Sequence, residues 1–207
     1  LFNGQHQEGR CVITDVKEAK IVVKLKELKE QQATGIKIIL ACAVPKKAKF
    51  ELIIEKCTEL GINEIIPLQT KRTEVIFSKD KLKSKRDRFQ KIAVNAAKQS
   101  GRTDVPIIHE MTAFSDVIRS LNKDVVAIIP SLNGKSEHIL TCLTNQTNPH
   151  HVIIFIGPEG DFTPDEVQLA VKAGCRPVSL GKSVLKVDTA AIASVSLVRF
   201  MLLDKDS

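Results

Sequence analysis

The chain contains no tryptophan and no tyrosine, and eight phenylalanines are its whole aromatic content. Any recognition of nucleic-acid bases by ring stacking therefore rests on Phe alone. Long apolar runs are also missing. The longest, such as Val152–Ile156, are strand-sized and fall far short of the roughly 20 residues that span a bilayer, so no membrane association is expected. Residue 1 is Leu, with no charged and apolar leader after it, and no signal peptide is visible. The five cysteines are dispersed, with no C-x-x-C pair. That spacing argues against a zinc site and predicts free, mostly buried thiols in a reducing compartment. The five histidines are equally scattered, so no metal is expected, and the expected location is cytoplasmic.

What is present is an ordinary supply of core material and an excess of positive charge. Of 207 residues, 43% are hydrophobic, and 31 basic residues face 24 acidic ones for a net charge of +7. The excess favours polyanionic partners such as nucleic acid. The densest basic tract, Lys79 to Lys91, is diluted by Asp80 and Asp87 and reads as readily as a solvated helix face.

Leu1–Leu28 reads as two strands around a short charged turn, too small a unit to bury its own core. It looks like the end of a β-rich domain, followed by a polar linker over Glu27–Gly35. From Ile36 onward strands alternate with helices. Strands are predicted at 36–44, 64–68 (closed by Pro67), 105–109, 125–129, 152–156 and 177–180. Helices are predicted at 47–60, 79–100, 113–121, 136–143, 163–173 and 188–203. Such alternation implies a mainly parallel sheet covered on both faces. Ligands of such sheets bind beyond the carboxyl ends of the strands, which directs attention to the loops after Ile129, Ile156 and Leu180.

Two of these loops stand out. Gly157-Pro-Glu-Gly-Asp-Phe162 runs from a strand into a helix whose start is marked by Thr163 as N-cap, Pro164 at the first position and Glu166 completing a capping box. Its glycines permit positive φ or close approach to a ligand, although the same residues also serve simply to turn the chain. In the second loop, Gly181-Lys182-Ser183 invites a phosphate-loop reading. That reading fails, because the motif needs glycine where Arg176 stands. What remains is a turn, then Val184 and Leu185 beside Lys186, then Asp188 or Thr189 as a helix cap. The apolar pair could clasp a flat ring or merely plug the core beneath the loop.

In this order, Gly157-Pro-Glu-Gly-Asp-Phe162, Ser179-Leu-Gly181 and Val184-Leu-Lys-Val-Asp-Thr-Ala190 resemble the motifs of the RsmE-type ribosomal RNA uridine-N3 methyltransferases of the SPOUT superfamily. Glu55-Lys-Cys-Thr-Glu-Leu-Gly61 with Lys71-Arg72, and Ala96-Ala-Lys-Gln-Ser-Gly-Arg102, are similar to two further family segments. Three positions depart from the pattern: Asp161 replaces a glycine, Lys186 an arginine and Asp188 a glutamate. The resemblance implies an α/β SPOUT methyltransferase domain with a C-terminal trefoil knot over 34–207, preceded over 1–33 by the last part of a PUA-like RNA-binding β-barrel and a linker. It implies S-adenosylmethionine as cofactor, ribosomal RNA or the small ribosomal subunit as partner, and a homodimer with the site at the subunit interface.

On that basis the cofactor is expected at Gly157, Glu159, Gly160, Leu180, Gly181, Val184 and Leu185, with Pro130 and Ser131 as weaker candidates. Lys186 is expected to stabilise charge on the uracil carbonyls, and Glu159 or Asp188 to orient the base or take its N3 proton. Lys46, Lys47, Lys71, Arg72 and Arg102 are the expected RNA contacts. The competing readings are a SPOUT enzyme acting on another RNA nucleotide, or an inactive RNA-binding or ribosome-assembly homologue, which the changes at 186 and 188 would favour.

Overall fold

The apolar run after His150 becomes the centre of the molecule. In the computed structural model, which describes residues 1–30, 35–46, 49–75, 79–131, 136–146 and 149–203, the first two strands, β1 (Gln7–Lys17) and β2 (Lys20–Glu30), pair antiparallel as a separate hairpin. The rest follows as β3 (Lys37–Ala43), α1 (Lys49–Glu59), β4 (Glu64–Gln69), α2 (Lys79–Gln99), β5 (Ile107–Ile108), β6 (Thr112–Ala113), α3 (Phe114–Arg119) and β7 (Val125–Pro130). Then come β8 (Glu137–His138), α4 (Ile139–Thr144), β9 (His151–Ile156), α5 (Pro164–Lys172), β10 (Arg176–Ser179) and α6 (Val187–Leu203).

The strands from β3 onward form one eight-stranded sheet in the order β5-β4-β3-β9-β7-β10-β8, with β6 also on β4. Among the described residues every pairing in it is parallel. Alternation along β9 splits the core in two. Val152, Ile154 and Ile156 face one side with buried residues of α1, α2, α4 and α6, while Ile153 and Phe155 face the other with those of α3 and α5. Burial on both faces is why these strands read as continuous apolar runs.

The structure departs locally from the sequence expectation at three places. Pro67 does not close β4 but lies inside it, paired with Cys42 of β3. On the other edge β4 pairs with β5 through Glu64–Ile65 and with β6 through Leu68–Gln69, so the residue without an N–H falls where the partner changes. The helix expected from Ser136 starts only at Ile139, because Glu137 and His138 pair with β10 first. The hairpin runs on to Glu30, into the expected linker, and β2 is exposed along its whole length.

Among the described residues four of the five cysteines are buried and all five are free. Burial is the main cause raising the Cys57 and Cys175 thiols to about 12.

Candidate active site

The strand order brings three loops that are distant in sequence to one place. Because β7 lies beside β9 and β10 beside β7, the chain leaving their carboxyl ends at Pro130, Gly157 and Leu180 surrounds a pocket of about 350 Å³. Of the seven expected cofactor residues, Gly157, Glu159, Leu180, Gly181, Val184 and Leu185 line it, as do Pro130 and Ser131. Gly160 does not. The volume lies within the range of small-molecule sites, roughly 300–1,000 Å³.

The first loop is a tight turn fixed at both ends. The Asp161 N–H donates to the Pro158 carbonyl at 2.9 Å. Asp161 has φ of +60°, and its Oδ1 accepts from the Phe162 N–H at 2.8 Å. Phe162 is then buried against Phe114, ring centroids 4.8 Å apart. A β-carbon on Gly157 would stand 3.1 Å from the Phe162 nitrogen and ring, so only glycine fits without moving the turn. Thr163 and Glu166 form the expected capping box at the start of α5.

Contacts from neighbouring loops brace this turn. The Lys46 N–H donates to Glu159 Oε1 at 3.0 Å, and Arg72 Nη1 to the Gly160 carbonyl at 2.5 Å. The Lys71 N–H donates to Glu166 Oε1 at 2.8 Å. From the sequence, Lys46, Lys71 and Arg72 are expected only as RNA contacts. Their backbones and side chains also hold the pocket loop.

In the second loop, Gly181 has φ of +115° and its N–H donates to Ser179 Oγ at 3.2 Å. Val184 is 75% exposed and forms an open flank of the pocket. The Lys186 carbonyl accepts from the Ala190 N–H at 2.8 Å, so α6 begins at Val187 and Asp188 lies inside its first turn instead of capping it. There its negative charge suits the helix N-terminus.

Asp188 does not line the pocket. Its Oδ1 lies 3.2 Å from the ammonium of Lys49, a pocket residue that no motif singled out. Desolvation pushes the Asp188 carboxyl up, but the Lys49 hydrogen bond, its own backbone N–H and the charges of Lys49 and Lys186 outweigh it and hold the group below the usual carboxylate range. Lys186 lines the pocket. Arg102 does not. Its side chain is 13% exposed, with the guanidinium on Asp104 and on the Thr58 carbonyl. Lys47 lies outside the described residues.

The chain matches, over residues 30–199, the family described as an RNA methyltransferase domain. It is 31% identical to the Ribosomal RNA small subunit methyltransferase E of Rickettsia conorii, over 97% of this chain and 80% of that protein. The chain belongs to the small subunit methyltransferase E family. The Bacillus subtilis member is also 31% identical, over 93% of this chain and 77% of its own length. A putative methyltransferase of Legionella pneumophila, solved with its cofactor SAM, matches this member with a TM-score of 0.85 at 30% identity, over 96% of this chain and 81% of that one. The Neisseria gonorrhoeae methyltransferase E, solved with S-adenosyl methionine, shares the fold with a TM-score of 0.87 at 23% identity, over 99% and 83%.

Proposed function

We propose that this protein methylates N3 of a uridine in small-subunit ribosomal RNA, with S-adenosylmethionine as donor. The observation that carries the reading is the convergence of the loops after β7, β9 and β10 on one pocket lined by glycine backbone and apolar side chains. A purine needs apolar contact on its faces and hydrogen-bonding backbone at its edge. Leu180, Val184 and Leu185, with the backbone of Gly157 and Gly181, offer both. The names of the methyltransferase E relatives and the SAM held by the Legionella and Neisseria proteins support the substrate and the donor.

When bound, the donor supplies an electrophilic methyl group on a sulfonium that leaves readily. The chain's own residues must align the base and manage one proton. Lys186 stabilises negative charge on the uracil carbonyls as N3 is deprotonated. Glu159, with one oxygen on the Lys46 N–H, orients the base and takes that proton with the other. Asp188 stays ionised and holds the Lys49 ammonium beside the pocket. Phosphates of the RNA meet Lys46, Lys71 and Arg72, with Lys47 adjacent in sequence.

Residues 1–33 are assigned to the end of a PUA-like domain and its linker, and 34–207 to a knotted SPOUT domain. Exposed Ile13, Val16 and Ile21 on the hairpin support the first assignment, since such a surface needs cover. The strand order supports the knot, because β9 lies between the earlier strands β3 and β7. Val184 on the open flank and Phe200, 60% exposed on α6, support a homodimer that buries them. The location assigned with this substrate is cytoplasmic.

The test is incubation of purified small ribosomal subunits with tritiated S-adenosylmethionine, followed by mass mapping of the new methyl group. Label on uridine N3 is expected, and label elsewhere or none at all sinks the reading. Lys186→Ala should lower kcat by roughly 10²-fold or more while changing donor affinity less than about threefold. Equal losses in both would remove Lys186 from the chemical step.

A further inference from the structure

Arg72 stands in the loop after β4 and meets the Gly157–Phe162 loop from the side. Its Nη1 donates to the Gly160 carbonyl at 2.5 Å, the one hydrogen bond it makes among the described residues. Its Cδ lies 3.3 Å from where a β-carbon on Gly160 would stand, so the side chain lies close against the glycine. The loop that carries it is itself held to α5. Buried Glu166 takes the Lys71 N–H on Oε1 at 2.8 Å and the Thr163 N–H on Oε2 at 2.8 Å. Buried Thr70 and Thr73 close the loop through their hydroxyls, 2.8 Å apart. Residues 70–73 and 157–163 thus form one hydrogen-bonded unit.

A guanidinium has five donors in a planar fork. One of Arg72's is spent on Gly160, and exposed Arg72 has others left for an anion. Exposed Lys71 beside it holds its ammonium 3.3 Å from the Asp165 carboxylate, which leaves Arg72 as the cation of this loop that faces an anion with donors to spare.

We infer that Arg72 is a positioning residue that couples the two substrates, one part of its fork bracing the donor loop at Gly160 and another binding an RNA phosphate. This rests on the donor-pocket reading above. A phosphate on the fork orders a long side chain that is otherwise anchored at one point. The donor then enters a loop whose ordering cost has already been met. Linkage makes the effect reciprocal, so the donor tightens RNA binding by the same factor.

Equilibrium dialysis of tritiated S-adenosylhomocysteine, an unreactive stand-in for the donor, tests this on the full chain with and without small-subunit ribosomal RNA. RNA should tighten binding to the parent protein by about fivefold or more. Arg72→Ala should bind several-fold more weakly without RNA, and RNA should then change its affinity by less than about twofold. Lys91→Ala, which removes an exposed positive charge from α2, should keep the parent's coupling. Arg72→Ala with coupling intact, or Lys91→Ala with coupling equally lost, overturns the inference. No binding by the parent protein overturns the functional reading as well, which separates the two failures.

Discussion

Asp161 has φ of +60°, where a β-carbon crowds the backbone and glycine is at ease. Aspartate tolerates this region because its short carboxylate bonds locally, and here it accepts the Phe162 N–H. The resemblance implies glycine at this position, and the aspartate closes the turn through its N–H on the Pro158 carbonyl. Asp161→Ala should lose the hydrogen bond while keeping the crowded β-carbon, lowering stability by roughly 1–2 kcal/mol. Asp161→Gly should stay within about 0.5 kcal/mol of the parent. Urea unfolding of the pair measures this, and equal losses would show that the left-handed conformation costs nothing here. At Asp188 the change from glutamate has a different consequence. The carboxylate is committed to Lys49, and it is Lys49 that lines the pocket.

Among the elements, α5 does more than follow the glycine loop. Its capping box is a common device for starting a helix, and Thr163 and Glu166 were legible in the sequence as such. Not legible was the second partner of Glu166, the Lys71 N–H from a loop far away in sequence. Glu166 is 6% exposed, so its removal takes the acceptor from part-buried donors at both Lys71 and Thr163. Glu166→Ala should therefore cost roughly 2–4 kcal/mol, more than the ~1 kcal/mol of an ordinary lost cap. It should also weaken donor binding, because two pocket-bracing loops separate. Thermal unfolding alongside calorimetric titration would show a loss near 1 kcal/mol with unchanged affinity if Glu166 were only a cap.

On the scale of the whole molecule, the two ends of the sheet differ in character. The carboxyl ends of β7, β9 and β10 open into the pocket, whereas the amino ends carry an ion cluster of Lys37, Glu64 and His109. The hydrogen bond with His109 is the largest cause pulling the Glu64 carboxyl down to about 2. Burial opposes it, and Lys37 adds to the lowering through a hydrogen bond and its charge. A carboxyl lowered on folding stabilises the fold above its unfolded value, near 4.5, and that contribution is lost as pH falls toward 2. Glu64→Gln should thus be less stable than the parent by about 2 kcal/mol at pH 6, with the gap closing between pH 4.5 and 2. A gap that stays constant over that range would assign the loss to packing instead of charge. The cluster lies at the end of the sheet opposite the pocket, so methyl transfer at neutral pH should not depend on it.

The sequence by itself determined the alternating strands and helices, because burial on two faces leaves apolar runs and burial on one leaves helical spacing. It also determined the two glycine-marked loops, since only a few residue types satisfy a turn of positive φ or a helix start. Tertiary structure alone decided that those loops share a pocket, for strand order follows from pairing across the sheet and not from order along the chain. It alone brought Lys49 to the pocket and gave Arg102 to Asp104 and Thr58, because a charged residue reads the same in sequence whether it meets an opposite charge, a carbonyl or solvent.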